Sequence, residues 1–194
     1  MPRSPLVVVL AGPNGAGRST SASRLLRGSL SVEEFVNADT IALGLSAYRP
    51  ESAAVAAGRV MLERLRHLAR QRANFAFETT LAGRGHARWL RELRETGYRA
   101  HLVFLSLLEP ELAIARVAER VRQGGHHVPE EVVRRRYVAG LRNLSQLYEH
   151  IVDDWQVYDN SGLDAPRLLA SRCRGSDVVV VDRAGWEHLK EQQR

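Results

Sequence analysis

Gly12, Gly15, Gly17, Arg18, Ser19 and Thr20 stand together in the stretch Gly12-Pro13-Asn14-Gly15-Ala16-Gly17-Arg18-Ser19-Thr20. Their types and spacing suit one task, the cradling of phosphate. The glycines allow positive φ angles, so that successive backbone N–H groups converge on phosphate oxygens. A helix opening near Gly17 adds its unpaired N–H groups and the positive end of its dipole. In such loops the hydroxyl at the Ser19 position binds magnesium. The pattern G-x-x-x-x-G-K-[ST] asks for lysine, however, where this chain has Arg18. A lysine acts there as a compact point charge. A guanidinium is longer, planar and forked, so the charge is kept while reach and geometry change. Lys190 is the one lysine among 28 basic residues, which fits a general drift from lysine to arginine. The expectation is that phosphate binding survives and turnover falls.

Two acids stand where a site on such a loop would need them. In an open parallel α/β sheet, ligands gather at the carboxyl ends of the strands. Asp39 follows Phe35-Val36-Asn37-Ala38, and Glu78 follows Phe75-Ala76-Phe77 with Thr79 and Thr80 behind it. Asp39 either caps a helix beginning at Ile41-Ala42 or takes the proton of a hydroxyl held in line with a bound phosphate. We take it as the general base. Glu78-Thr79-Thr80 is either a strand-end turn or a wall of the site. Phosphoryl transfer also needs cations on the equatorial oxygens, and Arg120 and Arg136 rank first for that role among Arg116, Arg122, Arg134 and Arg135. Adjacent His126 and His127 lack the further ligands of a zinc site and read as residues of the same basic segment.

The elements that must position these residues are legible as an alternation of strands and helices. Leu6-Val7-Val8-Val9-Leu10 is the strand before the glycine loop. Phe35-Val36-Asn37 and Phe75-Ala76-Phe77 are the next two, separated by a helical pattern from Glu51 to Arg72 that Pro50 introduces. A helix from about Gly85 ends at Gly97, before a strand over His101 to Leu107. Gln156 to Tyr158 and Val178 to Val181 complete a mostly parallel sheet. Between Pro110 and Ile151 the spacing predicts helices only, broken at Gly124-Gly125, restarted at Pro129 and rich in arginine. Such an excursion is a candidate lid over phosphates.

Composition narrows the rest. The 194 residues, 44% hydrophobic and 26% charged, fit a single α/β domain over 1–194. No apolar run approaches a membrane span, and Met1-Pro2-Arg3-Ser4 leads straight into the first strand without a signal-peptide pattern, so a cytoplasmic location is expected. Cys173 is the only cysteine and reads as a small helix residue; it excludes an intramolecular disulfide. The net charge of +6 would suit nucleic acid, but the arginines fall at helical spacings and aromatics do not interleave with them, so a polynucleotide partner is not expected.

In combination, Ala11 to Gly17, Phe35-Val36-Asn37-Ala38-Asp39, Glu78-Thr79-Thr80-Leu81, Arg116-Val117 to Arg120-Val121, Gly124-Gly125-His126, Val128-Pro129, Arg135-Arg136-Tyr137 and Tyr158-Asp159-Asn160-Ser161 resemble the zeta toxin family of P-loop kinases, especially its short stand-alone members. The resemblance covers residues 6 to 161 or so. It implies a three-layer P-loop kinase-like fold, a mostly parallel sheet with helices on both faces and a helical, arginine-rich lid at about 116–137. It also implies transfer of phosphate from ATP or GTP, with Mg2+, to a hydroxyl of UDP-N-acetylglucosamine or another UDP-amino sugar. On this reading Asp39 resembles the family's base, Glu78 and Thr80 with Thr79 between them its acceptor-site residues, Ser19 its magnesium ligand, and Arg120 and Arg136 its phosphate clamps. An antitoxin that blocks the nucleotide site is a further implied partner. Arg18 departs from the family's lysine, and the alternative reading is a degenerate nucleotide-binding or regulatory protein with little or no transfer.

Overall fold

The computed structural model describes residues 4–24, 30, 32–125 and 127–193. The expectations for His126 and for Met1-Pro2-Arg3 lie outside them. In chain order the elements are β1 (Leu6–Ala11), α1 (Arg18–Arg24), β2 (Glu34–Val36), α2 (Ala38–Leu45), a 3-10 turn (Pro50–Ala53), α3 (Ala54–Arg70), β3 (Phe75–Thr79), α4 (Gly85–Glu95), β4 (Arg99–Ser106), α5 (Pro110–Arg122), α6 (Glu130–Asn143), a π-turn (Leu144–Tyr148), α7 (Glu149–Ile151), β5 (Asp154–Asp159), β6 (Arg167–Arg172), β7 (Val179–Val180) and α8 (Arg183–Glu191).

The strands form one sheet in the order β2-β3-β1-β4-β5-β6-β7. The pairs from β2 to β5 are parallel, β6 is antiparallel to β5, and β7 is antiparallel to β6. Val7, Val8, Val9 and Leu10 of β1 are all fully buried. Because successive side chains on a strand point to opposite faces, both faces of the central strand are covered. Phe75, Phe77, Leu102, Phe104 and Val157 of the neighbouring strands extend this core. The carboxyl ends of β1, β2, β3, β4 and β5 therefore lie along one edge of the sheet, the edge from which ligands are reached.

Four expectations are corrected. Asn37 is not a strand residue: it caps α2, its side chain accepting from the backbone N–H groups of Asp39 and Thr40, so Asp39 sits in the first turn rather than at the cap. The helix expected from Glu51 opens as a 3-10 turn, and α3 ends at Arg70. The Arg167–Arg172 strand, with arginine at both ends, and α8 add to the elements that the sequence pattern predicts. Cys173, just beyond β6, is exposed and not helical.

Candidate functional site

The glycine loop crosses the end of β1 and is fixed by what it touches. Gly12 has φ +143°, and a Cβ there would lie 2.2 Å from the Leu105 carbonyl oxygen at the end of β4. Gly17 has φ +74°, and a Cβ there would lie 2.8 Å from the side chain of Asn160, whose amide donates to the Ala16 carbonyl at 2.8 Å. Any side chain at these two positions would displace the loop. Arg116 does not face this loop's ligand space; it holds the chain after β5 through the carbonyls of Asn160 (2.7 Å), Ser161 (2.8 Å) and Gly162 (3.2 Å).

Arg18 turns back on the loop. Its Nη1 donates to the carbonyls of Gly12 and Pro13, and its Nε donates to Glu78 Oε1 at 2.8 Å. The contact follows from strand register, since β3 lies beside β1 with Glu78 opposite Leu10. The second oxygen of the same carboxylate accepts from Ser19 Oγ at 2.8 Å and from Asn37 Nδ2 at 2.7 Å. Glu78 is thus held by three donors, and the side chains of Arg18 and Glu78 are only 9% and 8% exposed.

A cavity of about 390 Å³ opens beside this cluster. Asp39, Glu78, Thr79, Thr80, His86 and Arg136 line it, together with Asn14, whose Oδ1 is buried without a hydrogen-bond partner among the described residues. Burial holds the Arg136 guanidinium below its ordinary range, partly countered by the Asp39 carboxylate. Burial likewise lowers the His86 imidazole, which favours its neutral form. A second cavity, of about 510 Å³, lies on the other side of Asp39, between α2 and the turn joining α5 to α6; Ser19, Tyr48, Arg120, Gly125 and His127 are in its wall. The Asp39 carboxylate makes no hydrogen bond or ion pair among the described residues.

The structure thus brings Asp39, Glu78, Thr79, Thr80, Arg18, Ser19, Asn14 and Arg136 to one place and Arg120 to the adjoining cavity. It sorts the competing arginines: Arg116 is engaged as above, Arg122 pairs with Glu119 and Arg134 with Glu111. Thr20 is exposed and lines neither cavity. Sequence reasoning missed Asn37, which bridges Ser19 and Glu78, and His86, whose place at the start of α4 gave no motif signal.

The wall of the first cavity carries strain. Leu81 is fully buried at φ +57°, a conformation unusual for a leucine. It is held from α6 and the π-turn that follows: Asn143 Nδ2 donates to the Leu81 carbonyl at 2.7 Å and the Ala82 carbonyl at 3.2 Å, and Tyr148 donates to the Gly83 carbonyl at 2.9 Å. Gly140 packs so closely that a Cβ would stand 2.4 Å from the Thr80 carbonyl oxygen.

Magnesium, implied by the resemblance, would find a hard oxygen ligand here. Ser19 Oγ suits an ion that otherwise relies on water and substrate phosphates.

A family sequence model described as Zeta toxin matches residues 1–165. An uncharacterized protein of Haemophilus influenzae is 29% identical over 130 residues, covering 67% of this chain and 91% of its own. Among solved structures, the AvrRxo1-ORF1:-ORF2 complex with ATP is similar with a TM-score of 0.79 at 16% identity, over 98% of this chain and 65% of that one. The chain therefore spans less than two thirds of that neighbour. A structure of the PezAT chromosomal toxin-antitoxin system of Streptococcus pneumoniae gives a TM-score of 0.64 at 16% identity, over 99% and 86% of the two chains.

Proposed function

The chain belongs to the zeta toxin family, and on that premise we propose that it is a kinase moving the γ-phosphate of ATP or GTP to a hydroxyl of a UDP-amino sugar such as UDP-N-acetylglucosamine. The observation that carries the reading is the Asp39 carboxylate, which makes no hydrogen bond or ion pair among the described residues and stands between two cavities next to the glycine loop. In this reading the acceptor lies in the cavity walled by Thr79, Thr80, His86 and Arg136. Asp39 takes the hydroxyl proton as that oxygen bonds to the γ-phosphorus. The bond from phosphorus to the bridging oxygen breaks, and its electron pair leaves with the nucleoside diphosphate. Arg136 and Arg120 meet the charge that spreads over the equatorial oxygens. Ser19 would hold Mg2+, which supplies charge neutralisation at the phosphates when bound.

A second reading is favoured by the turned-back Arg18, whose Nε and Nη1 are engaged by Glu78 and by the loop's own carbonyls. It is a nucleotide-binding or regulatory protein that transfers little or no phosphate. By analogy with the toxin-antitoxin neighbour, a protein partner is part of the proposal, placed over the nucleotide site as the family resemblance implies; so is a cytoplasmic location, where both substrates would be found.

The test is transfer of label from γ-labelled ATP to UDP-N-acetylglucosamine, with Asp39→Ala and Arg18→Lys run beside the parent. Labelled sugar nucleotide from the parent, lowered about a hundredfold or more in Asp39→Ala, supports the kinase. Label from the Arg18→Lys variant alone supports the second reading. An Asp39→Ala variant as active as the parent removes the base from the mechanism.

A further inference from the structure

We infer that Glu78 serves the nucleotide half of the site: it is a positioning residue for Arg18, not a contact for the acceptor. The inference rests on the proposed nucleotide site. Both carboxylate oxygens are engaged, one by Arg18 Nε at 2.8 Å and the other by Ser19 and Asn37. Three of the roughly four lone pairs of the carboxylate are thereby taken, which leaves it a poorer acceptor for a further hydroxyl than a free carboxylate. In the same cavity wall, Thr79 and Thr80 each accept one backbone N–H, from Leu81 and Ala82, and keep their own hydroxyl protons to donate, while the Asp39 carboxylate makes no hydrogen bond or ion pair among the described residues.

The need for such a residue follows from the arginine. A lysine ammonium donates in any direction from the end of its stem, whereas a guanidinium donates only in its own plane. Nε is fixed by Glu78, and Nη1 by the Gly12 and Pro13 carbonyls. These bonds lock that plane and leave Nη2 as the nitrogen for a phosphate oxygen. The same carboxylate orients the Ser19 hydroxyl. With lysine at position 18 the planar constraint disappears, so the role of Glu78 toward that residue disappears with it.

The experiment measures, by calorimetry, the binding of ATP with Mg2+ and of UDP-N-acetylglucosamine to the parent, Glu78→Asp, Arg18→Lys and the double variant. Glu78→Asp keeps the charge and shortens the side chain by one methylene, so a change in ATP affinity reports lost contact rather than altered charge. The expected result is that Glu78→Asp weakens ATP binding about tenfold in the parent background and less than about twofold in the Arg18→Lys background, a non-additive cycle. UDP-N-acetylglucosamine binding stays within about twofold throughout. Glu78→Gln serves as a second variant should Glu78→Asp fold poorly, read by the same non-additivity. Equal effects on ATP in both backgrounds, or weakened sugar-nucleotide binding with ATP unchanged, overturns the inference and leaves the kinase reading standing. No ATP binding by the parent or by Arg18→Lys overturns both.

Discussion

Arg18 is the residue on which turnover hinges. Its guanidinium is committed to a carboxylate and to the loop's own carbonyls, whereas lysine presents a mobile point charge to the phosphates. Arg18→Lys is expected to raise the rate of transfer about tenfold or more, measured as kcat with γ-labelled ATP. The residue types of the loop were legible because phosphate chemistry dictates them. The partner of Arg18 was not, because Glu78 meets it only through the parallel register of β1 and β3. A second residue-scale expectation concerns Glu149, whose carboxyl burial pushes up to about 7, with Arg172 partly countering. An unfolded glutamate ionises near roughly 4.3. The folded protein therefore keeps a proton that the unfolded chain releases between these values. Stability from this group is fully present below the lower value and is lost as pH rises through the higher one, by about 4 kcal/mol. Glu149→Gln removes the titration. Its melting temperature relative to the parent's should rise between about pH 5 and about pH 8.

At the scale of elements, α6 does two jobs at once. It carries Arg136 into the first cavity, and through Gly140 and Asn143 it fixes the strained turn after β3. Gly140→Ala would drive a methyl group into the Thr80 carbonyl and is expected to cost about 1–3 kcal/mol in denaturant unfolding. The acceptor KM should rise with it, because Thr79 and Thr80 shift. The helical excursion of this region was readable from its apolar spacing and paired glycines. The grip of α6 on Leu81 was not, since a left-handed leucine has no sequence signature of the kind that glycine gives. The strand β6 escaped notice because Arg-Leu-Leu-Ala-Ser-Arg mixes polar and apolar residues without clear alternation. It pairs antiparallel with β5 across a bulge near Val157 and Tyr158, and its exposure pattern follows that irregular pairing. The place of Asn37 as the cap of α2 also went unread, because two nearby residues, Asn37 and Asp39, both suit a helix start.

Across the whole molecule, the family match ends at residue 165 but the sheet does not. The strands β6 and β7 and the helix α8 complete it. Trp186 of α8 stacks on Trp155 of β5 with ring centroids 5.7 Å apart. Gln192, just past α8, accepts from Tyr137 of α6 at 2.8 Å. A chain ended after residue 165 would expose Trp155 and leave β5 as a bare edge. It is expected to melt at a markedly lower temperature than the full chain, or not to fold cooperatively, as followed by circular dichroism. The parallel character of the sheet was legible from the alternation of elements, but the order of its strands and its antiparallel extension rest on contacts among residues far apart in the chain. None of the described helices is long and apolar enough to cross a membrane.

The bonds from Asn143 and Tyr148 to the carbonyls of Leu81, Ala82 and Gly83 reach beyond geometry into time. A turn held in a strained conformation by another element cannot loosen while that element stays in place. The acceptor wall and the second half of α6 should therefore open as one unit. In amide hydrogen exchange, the N–H groups of Leu81 and Ala82 and those of α6 near Gly140 should exchange with a common opening free energy, and Asn143→Ala should split them into two.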